Sequence, residues 1–156
     1  MIVLDIGPGI RAQNMFEYDT LILVEPHYEY VEFLQKKFLD AVILQITWQQ
    51  VVSIFPSNSV DIITLHDIIE HIEKEEAEEL LQNTIPIARK GVSVFTPLGF
   101  MEQTTGEDGA DEWGYHGGLW QNHRSGWFPE EFPGWNIQIN PPGIAHECFW
   151  AYLDKG

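Results

Sequence analysis

Short apolar runs at 2–6, 20–25, 41–46, 60–65 and 91–96 are unbroken rather than alternating, and helical or irregular stretches separate them. A strand wetted on one side alternates apolar with polar residues, whereas a strand covered on both faces stays apolar throughout, as central parallel strands do. The pattern predicts a doubly wound α/β sheet. Helical signals fall where the crossovers require them. Tyr30, Val31, Leu34 and Phe38 recur at three- and four-residue intervals in 27–38, and Ala77, Leu80, Leu81, Thr84, Ile85 and Ala88 do so in 73–89. Pro86 lacks an amide donor and is expected to kink or split the second helix. Trp135–Asn140 and Glu147–Leu153, separated by Pro141-Pro142-Gly143, predict an antiparallel pair that completes a mostly parallel seven-stranded sheet.

A chain of 156 residues has room for one sheet-based domain, 1–156, and its 44% apolar content, with six Trp and nine Phe, suffices for a packed interior. The formal charge of −16, from 24 acids against eight Lys and Arg, repels phosphate backbones and anionic headgroups, so neither nucleic acid nor a membrane surface is an expected partner. Cys148 stands alone and permits no intrachain disulfide, and no apolar stretch approaches the roughly 20 residues of a membrane span. With no charged-then-apolar leader before the first strand, a reduced cytoplasmic interior is the default expectation.

The run Val3-Leu4-Asp5-Ile6-Gly7-Pro8-Gly9 joins a buried strand to a turn whose two glycines let backbone amides approach a ligand. Glu25 closes the next apolar segment and would face that turn from the adjoining strand, placed to accept hydrogen bonds from a ribose diol. An adenosine-containing cofactor is expected there. Asp5 either contacts that cofactor's amine or caps the loop amides, and Glu25, which precedes Pro26, could instead be a helix-start residue. Gly7-Pro8-Gly9-Ile10-Arg11-Ala12 also satisfies a dinucleotide fingerprint, but Gln13 to Asp19 are too few for the helix that fingerprint needs. Arg11 and Ala12 are read as loop.

With these residues the chain resembles, over essentially its whole length, the class I S-adenosylmethionine-dependent methyltransferases, which have a Rossmann-like fold. Asp5-Ile6-Gly7-Pro8-Gly9 is similar to their glycine loop, Glu25 to their ribose-binding acid, and Phe95-Thr96-Pro97-Leu98-Gly99-Phe100 to their fifth strand and its exit. The stretch from Ser59 to His71 is similar to their fourth strand and the segment after it, where Asp67 and Ile68 would flank the cofactor and Glu70 and His71 would border the substrate. The third glycine of the family loop is Arg11 here, whose guanidinium could bind the cofactor's carboxylate directly. The chain also begins at the first strand, without the helices that usually cover the cleft. That leaves the site open or covered by another subunit of a homo-oligomer.

Ile46, Thr47 and Trp48 follow the third strand, where an adenine ring would stack or take a hydrogen bond from the chain, although Trp48 could equally be core. His71 is a general base in one reading, since an imidazole titrates near neutral pH. In another, Asp67, Glu70, His71 and Glu73 resemble the Glu-x-x-Glu-His-x-His metal site of one branch of the family, but Glu73 stands where that branch has its second histidine, so no metal is assigned. Glu70 and His71 could also merely cap the next helix. Glu73 to Glu79 reads as a solvated helix face.

The stretch 98–128, rich in Gly and aromatics, is expected to form a lid or acceptor-site insertion in which His123 and Arg124 make catalytic contacts, unless it is only a flap patching the core. The resemblance thus implies S-adenosylmethionine as cofactor and methylation, on oxygen, of a small-molecule or sugar-type acceptor, with His71, His123 and Glu70 at the chemistry. The alternatives are a non-catalytic module that binds the same cofactor and a nicotinamide-dependent oxidoreductase.

Overall fold

The computed structural model describes residues 1–106 and 108–156; Glu107, inside the expected 98–128 lid, lies outside the described residues. The strands are β1 (Ile2–Ile6), β2 (Thr20–Val24), β3 (Val42–Leu44), β4 (Val60–His66), β5 (Ala88–Pro97), β6 (Asn136–Ile139) and β7 (Cys148–Asp154). They form one seven-stranded sheet in the order β3-β2-β1-β4-β5-β7-β6. β1 to β5 are mutually parallel, and β7 runs antiparallel to both β5 and β6. The order reverses beside β1, so the ends of β1 and β4 open a crevice there, where sheets of this kind bind ligands.

Three crossover helices serve the parallel strands: α1 (Tyr28–Lys37), α2 (Trp48–Ile54) and α3 (Lys74–Thr84). α2 is not expected from the sequence. It buries only Trp48 and Val51, too few for an apolar period, and is started by a capping box in which Thr47 and Gln50 satisfy each other's backbone amides. The predicted helix over 73–89 is shorter than its periodicity. α3 ends at Thr84, Ile85–Ile87 forms a 3-10 turn carrying Pro86, and β5 starts at Ala88, three residues before the apolar run at 91–96. The missing amide of proline accounts for the break. No helix joins β1 to β2 among the described residues. Gln13 organises that connection instead: its amide donates to Asp5 Oδ2 (2.7 Å) and its side-chain oxygen accepts from Met15 and Phe16.

The two faces of the sheet are unequally covered. Leu4, Ile6, Ile63, Leu65, Val92 and Val94 pack with α2 and α3 in the larger core, whereas Val3, Leu21, Leu23 and Ile62 meet only Leu34 of α1 and a few partly buried neighbours. On that thinner face Thr64 donates to Asp5 (2.7 Å) and His66 pairs with Ser93 (2.9 Å), so polar groups are satisfied within the sheet.

Among its described residues the stretch 98–128 contains one short helix, α4 (Gly118–Gln121), and is held by side chains at both limbs. The outgoing limb docks on α1. Tyr30 donates its hydroxyl to Asp111, whose other oxygen accepts from the amides of Trp113 and Tyr115. The amide of His116 donates to Glu29 (2.6 Å). The returning limb is sewn to the chain after β4: Arg124 and Ser125 donate their amides to the carbonyl of Glu70 (2.7 and 3.2 Å), and buried Trp127 donates to Ser125 Oγ (2.9 Å) and the carbonyl of Ile69 (3.3 Å). Lys74 caps this limb, donating to the carbonyl of Gly126 (2.7 Å) with its ammonium 3.7 Å from the Trp127 ring centroid.

Gly117 lies so close to Tyr30 that a β-carbon would overlap the phenol. The variant Gly117→Ala should therefore loosen the outgoing limb and lower unfolding free energy by roughly 1–3 kcal/mol, the range for overpacking. Urea unfolding with limited proteolysis tests this; unchanged stability and unchanged cleavage within 98–128 would refute the docking.

Candidate functional site

The glycine turn and Glu25 meet as the sequence predicts. Parallel pairing of β1 with β2 sets Ile6 opposite Val24, and Gly7 donates its amide to the Val24 carbonyl (2.8 Å). Gly9 then donates its amide to Glu25 Oε2 (3.0 Å), and His27 donates to Oε1 (2.9 Å). Each carboxylate oxygen keeps a lone pair for a further donor. Both glycines have positive φ, 72° at Gly7 and 57° at Gly9. A β-carbon on Gly7 would collide with Ile68, so the turn is tight against the segment leaving β4.

A cavity of about 240 Å³ opens at this point, bounded by Gly7, Gly9, Glu25 and Pro26 on one side and by Ile46, Thr47, Trp48, Asp67, Ile68 and His71 on the other. Gln121 and Trp120 of the lid close it, so a segment of this same chain lines the cleft. Glu76 of α3 also reaches it, accepting from Trp48 Nε1 (3.2 Å), which departs from the expectation that the acidic run is only a solvated face. A second cavity of about 180 Å³ adjoins the first and shares Gly7, Gly9, Asp67, His71 and Gln121 with it. Pro8, Arg11, Glu70, His123 and His146 line this second space.

Asp5 lines neither cavity. Its oxygens accept from Gln13 and Thr64, which makes it the anchor of the turn rather than a ligand contact. Arg124 is likewise outside both, pairing with Glu73 (3.7 Å). That pairing also takes Glu73, whose side chain is 63% exposed, away from Glu70 and His71 and removes the four-residue metal set Asp67, Glu70, His71 and Glu73. Arg11 keeps its place, its guanidinium lying 5.5 Å from the Trp113 ring centroid at the rim of the second cavity. Trp113 itself stands over Gly9, a neighbour that no local pattern could announce.

Burial dominates the electrostatics. Desolvation pushes Glu25 up to about 7 and Asp5 up to about 6, against the hydrogen bonds that lower them. Burial, and then the neighbouring Asp67 carboxylate, raises Glu70 well above the usual carboxylate range; Thr96 donates its hydroxyl to Glu70 Oε2 (3.1 Å). Asp67 adopts a left-handed backbone, φ 52°, unusual for a residue other than glycine. Burial holds His71 down to about 4. It is therefore neutral at physiological pH. His123 stacks edge-on against His71, ring centroids 4.8 Å apart, and is also lowered by burial.

No protein-family model matches the chain, and no curated protein matches its sequence. Solved structures do match its fold. An S-adenosylmethionine-dependent methyltransferase from Archaeoglobus fulgidus superposes with a TM-score of 0.63 at 13% identity, covering 99% of this chain and 86% of that one. The magnesium protoporphyrin IX methyltransferase of Synechocystis, with bound S-adenosylhomocysteine, gives 0.63 at 13% identity over 99% of this chain and 73% of that one. Another S-adenosylmethionine-dependent methyltransferase, from Aquifex aeolicus, gives 0.57 at 18%, covering 97% and 80%. The fold is that of the class I S-adenosylmethionine-dependent methyltransferases. Among the described residues no helix is long and apolar enough to cross a membrane.

The buried acids set a pH dependence. A carboxyl ordinarily near 4.5 (Glu) or 3.8 (Asp) that keeps its proton to about 7 or 6 contributes stability fully below its ordinary value and loses it as pH rises through the folded value. His66 and His71, held to about 3 and 4 against 6.5, act in the opposite direction wherever the unfolded imidazoles still carry protons, to about one pH unit above 6.5. The histidines are common to wild type and Glu25→Gln, so the difference between the two isolates the acid: the stability of wild type relative to Glu25→Gln should fall as pH rises from 4.5 to about 7. Urea titrations of both proteins across this window check it; a difference that does not change with pH would contradict the burial argument.

Proposed function

We propose that the chain is an S-adenosylmethionine-dependent methyltransferase acting on a small molecule. The observation that carries this reading is the cavity bounded by a positive-φ glycine turn, Glu25 on the adjoining strand and Trp48 after the third, at the sheet's switch point. Glu25 would accept from the ribose hydroxyls through its unused lone pairs, Trp48 and Ile46 would face the adenine, and Gly7 and Gly9 would admit the methionine portion with Arg11 near its carboxylate. The fold neighbours, methyltransferases of which one holds the demethylated product, support the same cofactor.

The second cavity is the acceptor's place in this reading. It meets the first at Gly7, Gly9, Asp67, His71 and Gln121, so an acceptor held there would lie next to a cofactor in the first. The sulfonium carbon is already activated, and alignment of the acceptor at about 3–3.5 Å supplies most of the rate. Weakly basic His71 and His123 would accept hydrogen bonds from an acceptor hydroxyl and orient its lone pair, which favours an oxygen nucleophile on a small or sugar-like molecule. The lid from 98 to 128 would exclude water once both sites are filled.

Calorimetric titration with S-adenosylmethionine should show one site per chain, and incubation with a metabolite extract should release S-adenosylhomocysteine. Because Glu25 also holds the amides of Gly9 and His27, truncation to alanine would disturb the turn itself; Glu25→Gln is the cleaner probe and should weaken binding about 10–100-fold, the worth of a hydrogen bond to a charged group. His123→Ala should lower turnover while leaving cofactor affinity within about twofold. No binding of S-adenosylmethionine by the folded wild-type chain would reject the proposal.

A further inference from the structure

Glu70 and His71 come from the turn after β4 and His123 from the returning limb of the lid, and one ligating atom from each lies within 4.8 Å of the others. The carboxylate and imidazoles are already oriented. Glu70 accepts from Thr96 through Oε2, leaving Oε1 facing His71, 3.9 Å from its Nε2 and beyond hydrogen-bond range. His123 uses Nδ1 on the carbonyl of Met101 (2.6 Å); donation to a carbonyl puts the proton on Nδ1 and leaves the Nε2 lone pair free. A carbonyl in that position fixes histidines that bind metals. His71 is buried, its side chain only 11% exposed, and its Nε2 stands on the side of Glu70.

We propose that Glu70, His71 and His123 bind a first-row divalent cation, zinc being the best match, at the wall between the two cavities. Two imidazoles and one carboxylate are a set that holds such a cation with further coordination positions open. Ligands around an ion at about 2.0–2.2 Å stand closer together than the present 4.8 Å limit, so a small inward shift of His123 on its limb completes the site. The open positions face the second cavity, lined there by Arg11 and His146, where an oxygen of the acceptor could coordinate. That use rests on the methyltransferase reading; the binding of the ion does not.

The test uses the full chain, stripped with a chelator and titrated with Zn²⁺ and with Co²⁺ in the absence of S-adenosylmethionine. One ion per chain is expected, with visible cobalt absorption stronger than that of the hydrated ion. His71→Ala and His123→Ala should each weaken zinc binding about 100-fold or more, beyond what loss of a group that only orients a ligand would cause. His116→Ala, at the outer limb, should leave it unchanged. Circular dichroism and S-adenosylmethionine titration of each variant establish that it is folded, and His123→Gln provides a milder substitution should alanine unfold the limb. Absence of stoichiometric binding, a cobalt spectrum that stays that of the hydrated ion, or wild-type affinity in a folded His123 variant would each overturn the site. Cofactor binding without metal binding would refute this inference and leave the methyltransferase proposal standing.

Discussion

Two carbonyls just beyond β4, those of Ile69 and Glu70, fasten the returning limb of the lid, and the site exists because they do. They take the amides of Arg124 and Ser125 and the indole of Trp127, the last two from buried residues. Buried backbone oxygens must find donors, and here the donors come from more than fifty residues away in the chain. The result places His123 against His71 and brings the wall of one cavity up to the other. Without that seam, β4 would still end at the crevice, but nothing would stand across from Asp67 and Glu70.

The strands and the glycine turn are legible in the sequence because their causes are local. An unbroken apolar run needs cover on both faces whatever the rest of the chain does, and Gly7, Gly9 and Glu25 take their geometry from two adjacent parallel strands. Helix α2 is illegible for an equally physical reason: two buried residues and a capping box make no periodic signal. Pro86 announces its break, but the extent of β5 stays hidden, since Ala88, Arg89 and Lys90 carry no strand pattern and join the strand through tertiary context.

Within the site, sequence order exposes the residues at strand ends and hides those whose roles depend on the lid. Asp5, Arg124 and Glu73 are plausible by position, yet each is satisfied elsewhere, by Gln13 and Thr64 in the first case and by each other in the second. Trp113, Gln121 and Met101 give no sign, because what they touch is set by the docking of Tyr30 on Asp111 and Glu29 on His116. The basicity of His71 is equally hidden. Burial depends on the neighbours that fold around an imidazole, and a residue type alone reports only its behaviour in water.

The acidic run on α3 sits beside the mouth of the first cavity, with Glu76 reaching its wall. In a chain of formal charge −16, that helix adds to a field that draws cations toward the opening. In the proposed reaction a sulfonium donor carries one more positive charge than the thioether left after transfer, so this field would favour capture of the donor over rebinding of the product. Turnover in such a chain would slow as ionic strength rises, through encounter rather than through chemistry.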